Sequence, residues 1–218
     1  MTKRSKSTYA MSRHRRTGLI VVGLLASLLV VWFDHSQFGR RWRQAESRQP
    51  ARSDDLEKYH AKTFTVVNVV DGDTIDIDVA DGKYDHTRIR LWGIDTPETK
   101  NPETGVMYFG PEASEFTKEL ALGKQVAVYL DENRTRDKYD RLLAYVKLPD
   151  GGFLNEVLLT EGFAYADLRF KHNFYNKYKQ LEAGARGQKK GLWLGVTPEQ
   201  WPEWRQREIS NIKKQNAK

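Results

Sequence analysis

The residues best suited to chemistry form two short acidic motifs near the ends of predicted strands. The motif DGDT occupies residues 71–74, and the motif DTPE occupies residues 95–98. Carboxylates gathered in this way offer hard oxygen ligands, which suit Ca²⁺ or Mg²⁺ far better than Zn²⁺. Alone, each motif is ambiguous, because Asp-Gly is a common turn dipeptide and could simply join two strands.

Arginines accompany both motifs. Arg90 lies five residues before Asp95, and the sequence DKYDR at residues 137–141 ends in Arg141 just before a predicted strand. A guanidinium group binds phosphate oxygens bidentately and stays charged. Cleavage of a phosphodiester needs a cation, a base that orients water and donors for the developing negative charge. The sequence contains groups for all three tasks.

The surrounding elements predict an α+β, mainly β fold, with five strands and three helices. Strand patterns occupy residues 64–70, 74–79, 87–91, 125–130 and 142–148. Helix signals open at Gly110-Pro111, precede Gly162 and cover residues 174–186. Helices inserted after the third strand and appended after the fifth favour a small, partly open barrel over a sandwich or a parallel sheet.

The alternating strand patterns also predict which polar residues face solvent. Arg88 and Arg90 share one face of their strand because side chains alternate with period two. Arg88 is interpreted as an exposed residue with a surface salt bridge at most. Asp76 and Asp78 are interpreted as the solvated face of the preceding strand.

Charge is unevenly distributed along the 218 residues. The whole net charge of +7 belongs to residues 1–59, whereas acidic and basic residues balance in residues 60–218. Any nucleic-acid site in the C-terminal body must therefore be a local cluster. The absence of cysteine from the sequence excludes a disulfide partner, thiolate metal sites and a cysteine nucleophile.

The N-terminal part has the pattern of an export segment. Basic residues within 1–17 precede a nearly unbroken apolar run at 18–33, and no small-residue cleavage motif follows it. We predict an uncleaved single-pass signal anchor with the catalytic domain on the extracytoplasmic side of the membrane. The alternatives are a cleaved signal peptide, which would give a secreted protein, and a buried soluble helix. Residues 34–60 are interpreted as a tether and residues 196–218 as a polar tail.

Five sequence blocks, in the same order and spacing, resemble the staphylococcal nuclease, or thermonuclease-like, domain family. They are VVDGDTIDI (69–77), RIRLWGIDTPET (88–99), YFGPEASEFTKEL (108–120), DKYDRLLAYV (137–146) and KKGLW (189–193). The resemblance covers about residues 61–195. It implies a five-stranded OB-fold barrel with three helices. It also implies a monomeric catalytic domain that hydrolyses single-stranded DNA and RNA to 3′-phosphate products with Ca²⁺.

The resemblance also implies a role for each acidic residue of the two motifs. Asp73 and Asp95 correspond to the calcium carboxylates, and the backbone carbonyl of Thr96 corresponds to a further ligand. Asp71 would support the site from slightly farther out. Glu98 corresponds to the general base proposed to orient the attacking water.

The same resemblance implies which residues bind phosphate. Arg90 and Arg141 correspond to the two arginines on the scissile phosphate, and Lys138 and Tyr139 correspond to the pair that contacts a neighbouring terminal phosphate. Asp140 departs from the family, since it replaces a glycine and places a carboxylate beside Arg141.

Two questions stay open at the level of sequence. Tyr165 and Phe170 are both candidates for the aromatic residue on which the family stacks a base. A barrel of this kind could also be a non-catalytic module that binds single strands. The complete set of carboxylates and arginines favours the enzyme.

Overall fold

The computed structural model describes residues 53–99 and 105–216. Its helices are α1 (Ser53–Tyr59), α2 (Gly110–Ala121), α3 (Leu154–Thr160), α4 (Tyr175–Gly187) and α5 (Glu203–Asn216). Its strands are β1 (Lys62–Asp71), β2 (Thr74–Ile77), β3 (Thr87–Leu91), β4 (Ile94–Asp95), β5 (Gln125–Leu130), β6 (Leu142–Lys147) and β7 (Tyr165–Ala166). Two 3₁₀ helices, Gly191–Leu194 and Pro198–Gln200, lie between α4 and α5.

Five strands close into a barrel in the order β1-β2-β3-β6-β5. Neighbouring strands are antiparallel except β3 and β6, which run parallel, and β1 pairs with β5 to complete the ring. The prediction of a mainly β, five-stranded barrel is confirmed, and the barrel is closed rather than partly open. Closure leaves none of these strands with an unpaired edge.

The three predicted helices are α2, α3 and α4. Pro111 stands in the first turn of α2, where its missing N–H costs no hydrogen bond. The backbone of Gly123, just beyond the end of α2, is left-handed with a φ of 72°, which favours glycine. The sequence signals therefore predict both ends of α2 correctly.

One polar residue of the short strand β2 is buried, although its position in the alternating pattern predicts exposure. Ile75 and Ile77 are fully buried in the barrel core, yet Asp76 on the opposite face is also only 6% exposed. Its carboxylate accepts hydrogen bonds from Arg88 Nε at 2.8 Å and Asn68 Nδ2 at 3.0 Å. The prediction that Asp76 faces solvent is wrong, because a bidentate arginine from β3 covers it.

Helix α1 lies within the segment interpreted as a tether. Asp55 and Tyr59 are both buried, and Tyr59 belongs to the main hydrophobic core. Asp55 accepts hydrogen bonds from Arg136 Nη2 at 2.7 Å and from Thr135 Oγ1 at 2.7 Å. The globular body thus begins before residue 60. The buried ion pair between Asp55 and Arg136 attaches α1 to this body, and no periodic pattern in the sequence indicates it.

Replacing Asp55 with alanine should destabilise the fold by about 3 kcal/mol, because it leaves the buried Arg136 guanidinium with one carboxylate fewer. Asp81 still accepts from Arg136 Nη1 at 2.6 Å, so the loss should lie at the low end of the range for broken buried pairs. Urea unfolding of the full-length chain measures it. Asp54→Ala is the matched control, since Asp54 is exposed on the same helix. Equal stabilities of the two variants would contradict the structural role of Asp55.

The segment at 196–218, interpreted as a polar tail, contains a helix. Helix α5 covers residues 203–216, and Arg205 at its start is only 8% exposed. Within the described residues, no helix has the length and apolar character needed to cross a membrane. The apolar run at 18–33 lies outside the described residues, so the signal anchor stays a prediction.

Candidate active site

The two acidic motifs lie against each other at one end of the barrel. The backbone N–H of Thr96 donates to Asp73 Oδ2 at 2.8 Å. A Cβ at Gly72 would lie only 2.8 Å from Thr96 Oγ1, so the close approach of the two loops requires glycine at that position. The hydroxyl of Thr117 in α2 donates to the carbonyl of Gly72 at 2.6 Å, so α2 also contacts the loop of the DGDT motif. Turn motifs that were ambiguous in sequence are therefore parts of one site.

Arg90 joins the two motifs. Its Nη1 lies 2.6 Å from Asp73 Oδ2, and its Nη2 lies 2.6 Å from Asp95 Oδ1. The register of β2 and β3 places Arg90 opposite Thr74, next to Asp73, whereas Asp95 ends β4. The Arg90 side chain is 13% exposed, so this cation and both carboxylates are largely shielded from water.

Four carboxylates lie at this end of the barrel, those of Asp71, Asp73, Asp95 and Glu98. The pKa values of Asp71, Asp95 and Glu98 are raised. Glu98 is exposed at the rim, yet the desolvation of its carboxylate, followed by the negative charges of Asp73 and Asp71, raises its pKa to about 7. Desolvation and Asp73 likewise raise the pKa of Asp71, which shares a hydrogen bond with Glu98. Burial raises the pKa of Asp95 to about 6, against the opposing effect of Arg90. The cluster thus holds more negative charge than Arg90 neutralises.

The chemistry of this cluster fits a hard divalent cation. Asp73 and Asp95 supply carboxylate oxygens on the two sides of Arg90. Carboxylate oxygens in excess of the nearby guanidinium charge suit Ca²⁺, which prefers oxygen ligands. No three carboxylate or histidine side chains converge as a metal-binding group within the described residues. The ligand set implied by the family resemblance uses only two carboxylates and a carbonyl, which leaves the remaining ligand positions to water and substrate.

Arg141 occupies a loop that leads into β6. Its Nη2 lies 2.6 Å from Asp137 Oδ2, and its Nε donates to the same oxygen at 2.7 Å. Asp140 has a left-handed φ of 64°, which explains why glycine is favoured there, and its carbonyl accepts from Arg136 Nη1 at 2.9 Å. The carboxylate that holds Arg141 is therefore Asp137, and it leaves the Arg141 side chain 28% exposed.

Tyr139 connects the Arg141 loop with the carboxylate cluster. Lys138 Nζ lies 5.1 Å from the centre of the Tyr139 ring, and the Arg141 guanidinium lies 5.4 Å from it. The ring, 69% exposed, lines a cleft of about 770 Å³ that also contains Asp95 and Glu98. It lines a second cleft of about 820 Å³ that contains Arg141. A polynucleotide crossing Tyr139 would reach both halves of the site.

The two candidates for base stacking differ in access. Tyr165 is fully buried, with its ring edge-on to Trp193 at 5.3 Å, so it cannot stack on a base in this conformation. Phe170 is partly buried and packs on Trp92 at 5.8 Å. Tyr108 and Tyr139 are the exposed aromatic residues of the first cleft. Of the two candidates, Tyr165 is the less accessible, because β7 carries it into a hydrophobic cluster.

Sequence reasoning missed two residues that contact Asp95. The indole N–H of Trp204 donates to Asp95 Oδ2 at 2.8 Å, and Arg169 Nη2 lies 3.5 Å from Asp95 Oδ1. Arg169 is also held by Asp167, its Nε lying 2.8 Å from Oδ1. The available signal was a pair of tryptophans, Trp201 and Trp204, in a segment otherwise too polar to suggest burial.

Comparison with known proteins agrees with this architecture. The sequence pattern of the family described as Staphylococcal nuclease homologue matches residues 88–195. The "Thermonuclease" of Staphylococcus hyicus is 36% identical over 178 residues, which cover 81% of this chain and 96% of that protein. The "Thermonuclease" of Staphylococcus intermedius is 43% identical over 136 residues, covering 60% of this chain and 74% of that protein.

A further relative shares a smaller part of its length. "Endonuclease YncB" of Bacillus subtilis (strain 168) is 37% identical over 131 residues, which are 59% of this chain and 60% of that protein. The match to the Staphylococcus hyicus protein extends over nearly all of that relative. This chain therefore belongs to the staphylococcal nuclease homologue family and is a hydrolase of the nuclease class.

Proposed function

We propose that the chain is a calcium-dependent endonuclease that hydrolyses single-stranded DNA and RNA to 3′-phosphate products. The observation that supports this most is the pair Asp73 and Asp95 around Arg90, with Glu98 at the rim of the same cleft. That arrangement combines cation ligands, a phosphate-binding donor and a base. The relatives named thermonuclease and endonuclease support the same class of reaction.

The proposed mechanism assigns Asp73, Asp95 and the Thr96 carbonyl to the cation. When bound, Ca²⁺ supplies positive charge that stabilises the phosphate oxygens during attack. Glu98, at the rim of the cleft, is proposed to accept a proton from the attacking water. As Glu98 takes the proton, the water oxygen bonds to phosphorus and the bond from phosphorus to O5′ breaks. O5′ takes up a proton from solvent, so the cleaved nucleic acid has a 3′-phosphate end and a 5′-hydroxyl end.

Two arginines neutralise the charge that grows on the phosphate. Arg90 already lies between the two cation ligands, so a phosphate bound by the cation would meet its guanidinium. Arg141 approaches from the second cleft, where Asp137 fixes its orientation and leaves its outer face exposed. Lys138 and Tyr139 are assigned to a neighbouring terminal phosphate, and Tyr139 lines both clefts. Exposed rings of Tyr108 and Tyr139 suit stacking on unpaired bases rather than on a duplex.

Removal of calcium should abolish activity. With denatured DNA and with RNA as substrates, we expect cleavage by the full-length chain in millimolar Ca²⁺ and at least a 100-fold loss in excess EGTA, because the proposed ligands are hard oxygens. End-group analysis of the products should show 3′-phosphates. The same assay in Mg²⁺ alone tests metal selectivity. Undiminished cleavage in chelator would remove the cation from the mechanism.

The second candidate function is a module that binds single strands without cutting them. The exposed aromatic residues of the cleft favour it, since stacking needs no metal. Tight binding of a single-stranded oligonucleotide in Ca²⁺ without any cleavage would establish this function in place of the nuclease. The carboxylate and arginine set is complete, and Arg90 contacts both Asp73 and Asp95, which favours the enzyme.

We also propose that the catalytic body acts on the extracytoplasmic side of a membrane, either anchored or secreted. The support is the basic n-region at 1–17 followed by the apolar run at 18–33. Digestion of the body by protease added to intact cells would fit this location, and full protection would contradict the anchored form.

A further inference from the structure

Trp204 lies beyond the family match, which ends at residue 195, yet it contacts the centre of the candidate site. Its indole N–H donates to Asp95 Oδ2 at 2.8 Å, while Arg90 Nη2 contacts Asp95 Oδ1 at 2.6 Å. Each oxygen of this carboxylate therefore has its own donor. With the oxygens held from two directions, rotation of the Asp95 carboxylate is restricted.

The contact is built into the fold because the start of α5 is firmly attached. Arg205, the next residue, pairs with the buried Glu182 of α4 through Nη1 at 2.9 Å and Nη2 at 2.5 Å. The Arg205 guanidinium also lies 5.3 Å from the Trp193 ring and 5.1 Å from the Trp201 ring. Glu182 in turn accepts the backbone N–H of β7, the strand that pairs with β4 and Asp95.

Arg169 fixes the plane of the indole. Its guanidinium lies 4.9 Å from the Trp204 ring centre and 3.5 Å from Asp95 Oδ1, and it is held by Asp167. The ring is therefore bounded by Arg169 on its face while its N–H points to Asp95. These contacts orient a single donor toward one carboxylate oxygen.

We propose that Trp204 is a positioning residue that orients the Asp95 carboxylate for the cation. The inference rests on the proposed function, since it assigns Asp95 to calcium. Outer residues that donate to a metal ligand restrict its orientation, and their loss commonly weakens metal binding 10- to 100-fold. Oδ2 of Asp95 has a second lone pair, so it can accept from the indole and still face a cation. The C-terminal segment thus contributes a contact to the site from beyond the residues that match the family pattern, 88–195.

The test compares Trp204→Phe with Trp201→Phe in the purified full-length chain. Trp204→Phe keeps most of the aromatic ring and removes the N–H that contacts Asp95. Trp201→Phe makes the same chemical change three residues away, where the buried indole N–H has no hydrogen-bond partner among the described residues. Calorimetric titration of the metal-free proteins with Ca²⁺, without substrate, measures the Kd.

We expect Trp204→Phe to raise the calcium Kd by 10- to 100-fold and to leave kcat at saturating Ca²⁺ within about threefold of the wild type. Trp201→Phe should bind calcium as the wild type does. A Kd unchanged in Trp204→Phe, or raised equally in both variants, would overturn the positioning role while leaving the proposed function intact. A wild-type chain that cleaves nucleic acid but binds no calcium would overturn both the inference and the calcium mechanism.

Discussion

Replacing Arg141 with alanine should lower kcat on single-stranded DNA by about 10²- to 10³-fold, the effect of losing one preorganised donor to a transition state. Asp137 contacts Nε and Nη2 of Arg141 at 2.7 and 2.6 Å, so the guanidinium is oriented before substrate arrives. Arg141 lines the same cleft as Tyr139, and its side chain is 28% exposed. Loss of this group should change the calcium Kd little, because Arg141 has no proposed contact with the cation ligands.

Two further variants make this prediction specific. Arg141→Lys keeps the charge but loses the planar fork, so its kcat should lie between the wild type and Arg141→Ala. Arg88→Ala is the matched control, because Arg88 is an exposed arginine bound to Asp76 and has no proposed role in the reaction. Initial rates at saturating substrate and Ca²⁺ measure kcat. A drop of less than tenfold in Arg141→Ala would contradict a role in the transition state.

Much of the fold follows from the sequence because its signals are local. The alternating pattern of β2 buries Ile75 and Ile77 and involves only neighbouring residues. The signals at the two ends of α2, Pro111 and Gly123, are also local. Asp76 shows the limit of this reasoning. A charged residue in an alternating strand is predicted to be solvated, and only the pairing of β2 with β3 reveals the arginine that covers it.

The candidate site was predictable where it depends on motifs and not where it depends on long-range packing. The acidic motifs and Arg90 meet because β2, β3 and β4 bring them to one end of the barrel. Trp204 is 109 residues from Asp95 in sequence, and no periodicity in the C-terminal segment indicates the contact. Buried ion pairs, Arg136 with Asp55 and Arg205 with Glu182, help to attach α1 and α5 to the body. Such pairs look like ordinary surface charge in a sequence.

The second large effect is expected for Arg90→Met. Without calcium, the variant should lose about 3–5 kcal/mol of stability, because Asp73 and Asp95 would face each other without the cation that now lies 2.6 Å from each. Its kcat should fall by at least about 10²-fold, since a phosphate donor is lost. Arg169→Met is the matched control: Arg169 is the other arginine at Asp95, but it is more exposed and more distant, so its removal should cost much less stability.

Calcium should separate the contribution of Arg90 to stability from its role as a phosphate donor, because calcium can restore only the first. A bound cation would replace the missing positive charge and would no longer be repelled by the guanidinium, so Arg90→Met should bind Ca²⁺ more tightly than the wild type. Ligand binding stabilises the folded state in proportion to RT ln(1 + [L]/Kd), so the same calcium concentration should stabilise the variant more. Urea unfolding in EGTA and in 10-fold increments of Ca²⁺ measures this difference. Stabilisation of the wild type by calcium that equals or exceeds that of Arg90→Met would contradict binding between Asp73 and Asp95, because a cation at that position shares both carboxylates with Arg90.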